Sequence, residues 1–468
     1  MIDTQAIRSK ILDLAMRGRL TEQLPKDGTA EELYRQIQAE RKRQESIGTI
    51  KTVELAPDVY ETEMPFAIPS NWKWTSLGNV SYIVRGGSPR PIKQYITTSE
   101  DGINWIKIGD VEKGGKYICS THEKIIPEGE AKSRRVYPGD FLLTNSMSFG
   151  RPYISKIEGC IHDGWLLIHN LTGFDQDYLF YLLSSSYLYG QFTAKASGST
   201  VDNLNIDKVK AALIPLPPLA EQHRIVSRID QAFATLDTID ALQAKYADNL
   251  AVLKSKLIDA AIRGKLTEQL PEDGTAEDLY RQIQAEKQAL IKSGKIKKEK
   301  PLPPITADEI PLEIPSNWKW VRIGTILTLQ SGKNIPASNI ETASDEAHKI
   351  PCYGGNGQRG FVDCANVDGF HAIIGRQGAL CGNINFAEGP FYATEHAVVV
   401  YGYAGTNMKW VGITLRYLNL NQYATSVAQP GLAVSKVEKV LIPLPPLAEQ
   451  KRIVAKLEEL LPLCERLK

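Results

Sequence analysis

Apolar residues fall at alternating intervals of four and three from Ile225 through Ile229, Ala232, Leu236 and Ile239. The same spacing runs from Tyr246 through Leu250, Leu253, Leu257 and Ala260, with Leu242 bridging the two runs. Such spacing keeps one side chain per turn on one helical face, as in the seam of a coiled coil. Pro217 and Pro218 precede the pattern and Gly264 follows it, so one helix is predicted from about Leu219 to Arg263, its stripe interrupted near 239–246. At ~1.5 Å per residue it is roughly 65 Å long, and its apolar stripe needs a partner. Ile7, Ile11 and Leu14 at one end of the chain, and Ile453, Leu457 and Leu460 at the other, have the spacing to supply it as an antiparallel helical pair. A further helix follows residues 25 and 271, where Thr29 with Glu32 spells a capping box and Thr275 with Asp278 a weaker copy.

Elsewhere the pattern changes to short apolar runs, such as INWIKIGDV at 103–111, FLLTN at 141–145 and HAVVVYGY at 396–403. Glu-Gly, Pro-Gly and Asn-Gly turns separate them, which reads as compact β-rich α+β structure. A short helix near Asp177–Leu188 and another near Met408–Leu418 are expected to close these segments.

The two kinds of pattern are organised by an internal repeat. Residues 17–25 (RGRLTEQLP) return at 263–271, YRQIQAE at 34–40 returns at 280–286, and IPSNWKW at 68–74 returns at 314–320, all offset by 246. LIPLPPLAEQ at 213–222 returns at 441–450, offset by 228. The segments between these blocks, 75–212 and 321–440, are hardly alike and differ in length by 18 residues. Two near-identical frames therefore hold two dissimilar inserts, the arrangement expected when each insert recognises something different. A period this long excludes a solenoid. Superposing the frames places Lys468 opposite Asp240 and Met1 opposite Ala247, so the chain's two ends are the two halves of the central frame. The fold class expected is α+β: two β-rich domains separated by an antiparallel, coiled-coil-like long-helix spacer, pseudo-twofold with a circularly permuted frame.

Composition adds limits. The 468 residues carry 55 Lys and Arg against 54 Asp and Glu, a net charge of +1. A histone-like basic protein and an acidic disordered tail are both excluded. Residues 68–212 hold 16 basic against 14 acidic residues and 314–440 hold 10 against 8, so each insert is near +2. Nucleic-acid binding would then rest on local placement of charge. The six cysteines, Cys119, Cys160, Cys352, Cys364, Cys381 and Cys464, form no CxxC pair and read as isolated cytosolic thiols. The charged N-terminal twenty residues do not read as a signal peptide, and no run approaches 18 uncharged apolar residues, so a cytoplasmic protein without a membrane span is expected.

Motifs for catalysis fail in context. Gly355-Asn356-Gly357-Gln358-Arg359-Gly360 fits GxGxxG as a string, but the FVDCANV that follows is strand or loop, so a glycine-rich hairpin is expected and not a dinucleotide site. Gly332-Lys333-Asn334 resembles only the end of a phosphate-binding loop, and the seven histidines show no metal-ligand spacing. Asp110-Val111-Glu112-Lys113 is an ordinary acidic-basic loop. The expectation is a chain with no catalytic, cofactor-binding or metal site of its own.

LIPLPPLAEQHRIV at 213–226 and LIPLPPLAEQKRIV at 441–454 closely resemble the signature of specificity subunits of type I restriction-modification systems. IPSNWKW followed by Leu77-Gly78 or Ile323-Gly324, the RGxLTEQLP turns, WIKIGDV at 105–111 and IPCYGGNG at 350–357 resemble other phrases of that family, in the right order twice over nearly the whole chain. The resemblance implies that each insert is a target-recognition domain reading one half of a bipartite, asymmetric duplex DNA target. It implies that the helices set the half-site separation and dock two adenine-N6 methyltransferase subunits, with two restriction subunits joining them. S-adenosylmethionine, ATP and Mg²⁺ would belong to those partners. The domains would be 1–67, a helical frame and linker; 68–212, the first reader; 213–290, the central helical region; 291–313, a linker; 314–440, the second reader; and 441–468, a helix completing the frame. A protein-joining scaffold and a standalone nuclease are the competing classes, the latter disfavoured by the missing carboxylate and metal motifs.

Candidate DNA contacts follow from residue type in Gly-rich and polar loops. In the first insert, Arg85, Ser88, Arg90, Lys93 and Gln94 share a Gly/Pro loop free of acids until Glu100, and Asn145, Ser146, Ser148 and Arg151 form a second loop. In the second, the candidates are Lys333, Asn334, Asn356, Gln358, Arg359, Arg376, Gln377 and Asn383. Arg and Lys suit phosphates or guanine edges, and Asn and Gln suit adenine. Such residues also satisfy turns, so about half are expected to touch DNA. Trp72, Trp74, Trp318 and Trp320 recur in both frames and are therefore expected to anchor packing, not to stack on bases.

Overall fold

The computed structural model describes residues 1–112, 114–145, 149–171, 174–193, 204–378, 380–425 and 431–466. The chain divides into two compact units, Met1–Gln243 and Ala244–Lys468. The first contains α1 (Thr4–Met16), α2 (Ala30–Ser46), α3 (Gln176–Leu183), α4 (Ser186–Thr193) and the opening half of α5 (Leu219–Ile262). α5 thus spans the stretch that the 4,3 spacing predicts. α1 runs antiparallel to it: Arg8 pairs with Asp237 (2.8 Å) and Asp240 (3.0 Å), and Thr4 Oγ1 donates to Asp240 (2.6 Å). α2 begins at the capping box read from the sequence, with Glu32 N donating to Thr29 Oγ1 (3.4 Å) and Thr29 N to Glu32 Oε2 (3.5 Å).

The first insert contributes β1 (Lys73–Ser76), β2 (Ser81–Arg85), β3 (Ile96–Thr97), β4 (Ile103–Ile106), β5 (Tyr117–Ile118), β6 (Glu123–Ile125), β7 (Arg134–Val136), β8 (Phe141–Thr144), β9 (Pro152–Ser155), β10 (Gly159–Ile161), β11 (Trp165–Asn170) and β12 (Leu213–Leu216). Among the described residues these make two five-stranded sheets, β3-β6-β4-β10-β7 and β2-β11-β8-β9-β5, and a separate pair β1-β12. Phe141, Leu143, Leu166 and Ile168 turn one face of the second sheet into the core shared with α1, α3 and α4, while Leu142, Leu167 and Trp165 pack on the other face.

The second unit pairs the closing half of α5 with α6 (Ala276–Lys292), α7 (Met408–Tyr417) and α8 (Leu447–Arg466). Its strands are β13 (Lys319–Arg322), β14 (Leu327–Ser331), β15 (Ile350–Gly354), β16 (Gly357–Val362), β17 (His371–Gly375), β18 (Ile384–Ala387), β19 (Tyr392–Ala393), β20 (Ala397–Gly402) and β21 (Leu441–Leu444). They order as β14-β20-β17-β18, β16-β15-β19 and the pair β13-β21. The GxGxxG string forms the β15–β16 hairpin, as its context predicts.

The repeated blocks meet one another inside each unit. β1 pairs antiparallel with β12 in the register Lys73↔Leu216 and Trp74↔Pro215. β13 pairs with β21 as Lys319↔Leu444 and Trp320↔Pro443. The two offsets, 246 and 228, are thus reconciled by one neck built twice. Prolines are tolerated there because a two-stranded pair consists of edge strands. Behind each neck sits a fully buried carboxylate. Glu221 accepts from Trp72 Nε1 (2.8 Å), Gln23 Nε2 (2.8 Å) and Thr21 Oγ1 (3.2 Å). Glu449 accepts from Trp318 Nε1 (2.7 Å), Gln269 Nε2 (2.7 Å) and Thr267 Oγ1 (3.2 Å). Trp72 and Trp318 are buried, as packing anchors should be, and Gly18 and Gly264 adopt positive φ where any Cβ would strike Pro69 or Pro315.

Three expectations need correction. The helix expected over 177–188 is two, α3 and α4, because Ser184 and Ser185 turn their hydroxyls back onto the carbonyls of Phe180 (2.8 Å) and Leu182 (2.6 Å). The run at 103–111 is a strand only to Ile106, since Asp110 Oδ2 accepts from Lys107 N (2.7 Å) and closes a 3₁₀ turn. The α5 stripe is not covered throughout: Ile225, Ile229, Leu236 and Leu250 are buried, but Leu242, Tyr246 and Leu253 are 60%, 41% and 43% exposed. In the first unit α1 begins opposite Asp240, and in the second α8 closes on Lys254 through Glu465 (3.0 Å). Leu12, Ala15 and Met16 of α1 turn instead toward α3 and α4, while Ile7 stays 38% exposed.

Candidate nucleic-acid interface

In the first unit the turn between β10 and β11 projects Asp163, and four sequence candidates converge on it. Arg85, the last residue of β2, donates from Nε to the Asp163 carbonyl (3.3 Å). Ser88 donates to Asp163 Oδ1 (3.0 Å) and accepts from the Asp163 amide (3.3 Å). Arg90 Nη2 meets Oδ2 at 3.0 Å. Asn145, just past β8, sends Nδ2 to the Asp163 carbonyl (3.5 Å). Partial burial opposes ionisation of Asp163, but the hydrogen bonds from Ser88 and Arg90 outweigh it and hold the carboxyl below the usual carboxylate range. Burial pushes the adjoining His162 imidazole down. Residues 85–90 and Asn145, distant in sequence, thereby meet at Asp163, the first segment through its carboxylate and backbone and the second through its carbonyl.

The remaining candidates of this insert are placed differently. Lys93 and Gln94 are exposed on the short turn Ile92–Gln94, and Arg151 is exposed at the start of β9. Among the described residues none of these three side chains has a hydrogen-bond or ion-pair partner. Asn145 is only 1% exposed, a pin beneath the surface more than a part of it. Ser146 and Ser148 lie outside the described residues.

In the second unit Asn356, Gln358, Arg359 and Gln377 line one open cleft of about 800 Å³, together with His396. The β15–β16 hairpin supplies the first three, and the loop after β17 supplies Gln377. Arg376, half-buried, holds this loop in place: its amide donates to the His396 carbonyl (2.8 Å), and its carbonyl accepts from Leu432 N (2.8 Å). Lys333 and Asn334 are exposed beyond β14, on the other side of the segment 393–397; Lys333 N donates to Ala393 O (2.9 Å). Asn383 spends its side-chain oxygen on the Ile384 amide (3.0 Å), the turn role expected of part of the set.

Residue-type reasoning missed Asp163 and the run Thr394-Glu395-His396. A lone acid in a turn and a histidine without metal-ligand spacing carry no signal in the sequence, so neither stands out before folding brings its partners to it. Among the described residues no group of His, Cys, Asp and Glu is arranged to hold a metal ion, and no helix is long and apolar enough to cross a membrane.

Two unlike polar loop surfaces, each raised on the same neck and helical frame, define a duplicated-frame protein with a different surface on each copy. The family model for the type I restriction modification DNA specificity domain matches the chain twice, over residues 69–245 and 315–467. These two matches cover more than half of the sequence, and the chain belongs to this family of DNA specificity proteins. It is 28% identical over 550 residues to the type I restriction enzyme EcoAI specificity subunit of Escherichia coli, spanning 99% of this chain and 90% of that one. It is 29% identical to the EcoprrI specificity subunit of the same organism, over 83% and 87% of the two chains. Two solved structures share the fold at 20% identity. One is an HsdS subunit from Thermoanaerobacter tengcongensis, with a TM-score of 0.54 over 87% of this chain and 93% of that one. The other was determined in work on complex assembly and conformational transition of the type I R-M system, with a TM-score of 0.62 over 86% and 93%.

Proposed function

We propose that this DNA specificity protein reads a split, asymmetric duplex target, with residues 68–212 choosing one half-site and 314–440 the other. The observation that carries this reading is the neck. The same strand pairing, in the same register, presents an Asp163-centred loop cluster in one unit and a glycine-floored cleft in the other. A shared mount with different surfaces is what two different half-sites require. Readers on one face of DNA meet bases about one helical turn, roughly 34 Å, apart. The α5 frame, with 213–290 between the readers and 1–67, 291–313 and 441–468 flanking them, is proposed to set that separation. It is also proposed to dock two methyltransferase and two restriction subunits. Adenine methylation, with S-adenosylmethionine, and translocation and cleavage, with ATP and Mg²⁺, would then be the partners' work in the cytoplasm, this chain contributing sequence choice and no catalysis.

The test is an insert exchange. Residues 75–212 are replaced by the equivalent segment of another family member, and methylated adenines are mapped by sequencing after expression with the methyltransferase subunit. One half-site should change and the other persist. A change in both, or a wild-type complex without sequence preference, refutes the modular reading.

A further inference from the structure

The cleft of the second unit holds more than the sequence candidates. Its floor is the backbone of Gly354, Gly355 and Gly357. Two of these glycines resist replacement: a Cβ on Gly355 would lie 2.9 Å from the Gln377 carbonyl, and Gly357 sits at φ +95°. The backbone is thus left open to close approach by whatever enters.

Among the described residues, four polar side-chain atoms beside this floor are buried without a hydrogen-bond partner: Thr394 Oγ1, Glu395 Oε2, His396 Nδ1 and Asn385 Nδ2. Three belong to consecutive residues, and Asn385 lies directly behind Gly357, its Oδ1 3.1 Å from where a Cβ would stand. Buried polar groups in folded proteins are ordinarily satisfied, and a concentration of unsatisfied ones asks for a ligand. Glu395 Oε1 and His396 Nε2 are 3.1 Å apart. A proton on Nε2 serves that contact and leaves Nδ1 as an acceptor. His396 lines the cleft and Glu395 is paired with it; their side chains are 40% and 35% exposed, so both are open to a molecule in the cleft.

The chemistry selects the occupant. A phosphate is opposed by the Glu395 carboxylate and met by one guanidinium, Arg359. An extruded base needs an aromatic or apolar slot, and among the described lining residues the cleft offers Leu380 and a single ring, the polar imidazole of His396, with nothing to sandwich a base. Base-pair edges remain. Acceptors such as Glu395 and His396 match an exocyclic amino group, and Arg359 matches the O6 and N7 of guanine; a C·G pair displays both in the major groove.

Resting on the half-site reading above, we propose that Glu395 and His396, with Arg359, recognise a C·G pair within the half-site read by the second unit. The test uses the assembled methyltransferase complex carrying Glu395→Gln or, as a second variant that leaves the Glu395–His396 contact intact, Arg359→Ala. Methylated adenines are mapped across a genome. Both variants should relax one and the same C·G position by about tenfold to a hundredfold, with the other half-site unchanged. The proposal is overturned if both variants keep the wild-type motif, if the relaxed position is an A·T pair, or if it lies in the half-site that exchange of residues 75–212 alters. A wild-type complex without any sequence preference would instead sink the half-site reading itself.

Discussion

Replacing Glu221 by Ala removes the acceptor at the centre of the first frame, and the structure bounds the cost. Glu221 is fully buried and takes hydrogen bonds from Trp72 (2.8 Å), Gln23 (2.8 Å) and Thr21 (3.2 Å). Truncation strands Trp72 Nε1 in a buried site, about 1–3 kcal/mol for an orphaned donor. Gln23 is exposed and Thr21 half-buried, and both can turn to water, so they add about 1 kcal/mol between them. Relief of the buried carboxylate's desolvation offsets part of this, leaving a net loss of about 1–3 kcal/mol. Glu221→Gln keeps an oxygen at the same place and should lose about 1 kcal/mol. The second frame supplies an internal duplicate: Glu449 makes the same three contacts at 2.7, 2.7 and 3.2 Å, so Glu449→Ala should cost the second unit as much. Urea unfolding followed by tryptophan fluorescence measures both, because Trp72 and Trp318 report from the two networks. A loss below ~1 kcal/mol for Glu221→Ala refutes the bookkeeping, and a large cost at one glutamate with a small one at the other refutes the equivalence of the frames.

Other consequences are equally direct. Asp163→Asn should loosen the first reading surface: in DNA titrations across salt concentrations, discrimination at the first half-site falls about tenfold while non-specific affinity rises, and unchanged discrimination would remove Asp163 from the reading machinery. His169 is raised above its ordinary pKa by its hydrogen bond to Asp140 (2.6 Å). The stability it gives is therefore full below the unfolded value near ~6.5 and lost as pH rises through the higher folded value; thermal melts of His169→Asn should approach wild type above that window and fall short below it, and a gap independent of pH contradicts the assignment. Lys287 is neutralised by Glu299 (2.7 Å), whereas Arg41, its counterpart by the offset of 246, is 2% exposed with Nε and Nη1 unpartnered among the described residues, and Val53 stands at the sequence position equivalent to Glu299. Val53→Glu should therefore raise the urea midpoint of the first unit, by about 1 kcal/mol, and a lowered midpoint would show that Arg41 needs no carboxylate.

The helical frame was legible because its signals are local. Pro217-Pro218 and Gly264 bracket a sustained 4,3 spacing, and α5 runs between them; Thr29 and Glu32 lie three residues apart and make the capping box they spell. The β15–β16 hairpin was legible for the same reason, its turn glycines adjoining in sequence. What escaped depends on encounters between distant segments. Asp163 is a common residue in a common turn until folding brings residues 85–90 and 145 against it. Glu395 and His396 acquire meaning only from a floor built 40 residues earlier. The exposed middle of the α5 stripe escaped because periodicity predicts a face and says nothing of how far the covering helix extends.

The near-neutral charge of the chain is matched by how its cations are used. In the first insert Arg90 answers Asp163, Arg135 answers Glu130 and Glu158, Lys107 answers Glu123, and Lys116 answers Asp177. A cation committed to a neighbouring carboxylate releases few counterions when DNA arrives, so affinity drawn from phosphates is small. The same pairing fixes the direction in which a guanidinium or carboxylate presents itself, and direction is what distinguishes one base edge from another. A surface that trades phosphate affinity for oriented polar groups binds DNA weakly alone and discriminates well once something else holds the duplex. This division of labour agrees with the proposed assembly, in which the methyltransferase subunits grip the DNA and this chain decides where.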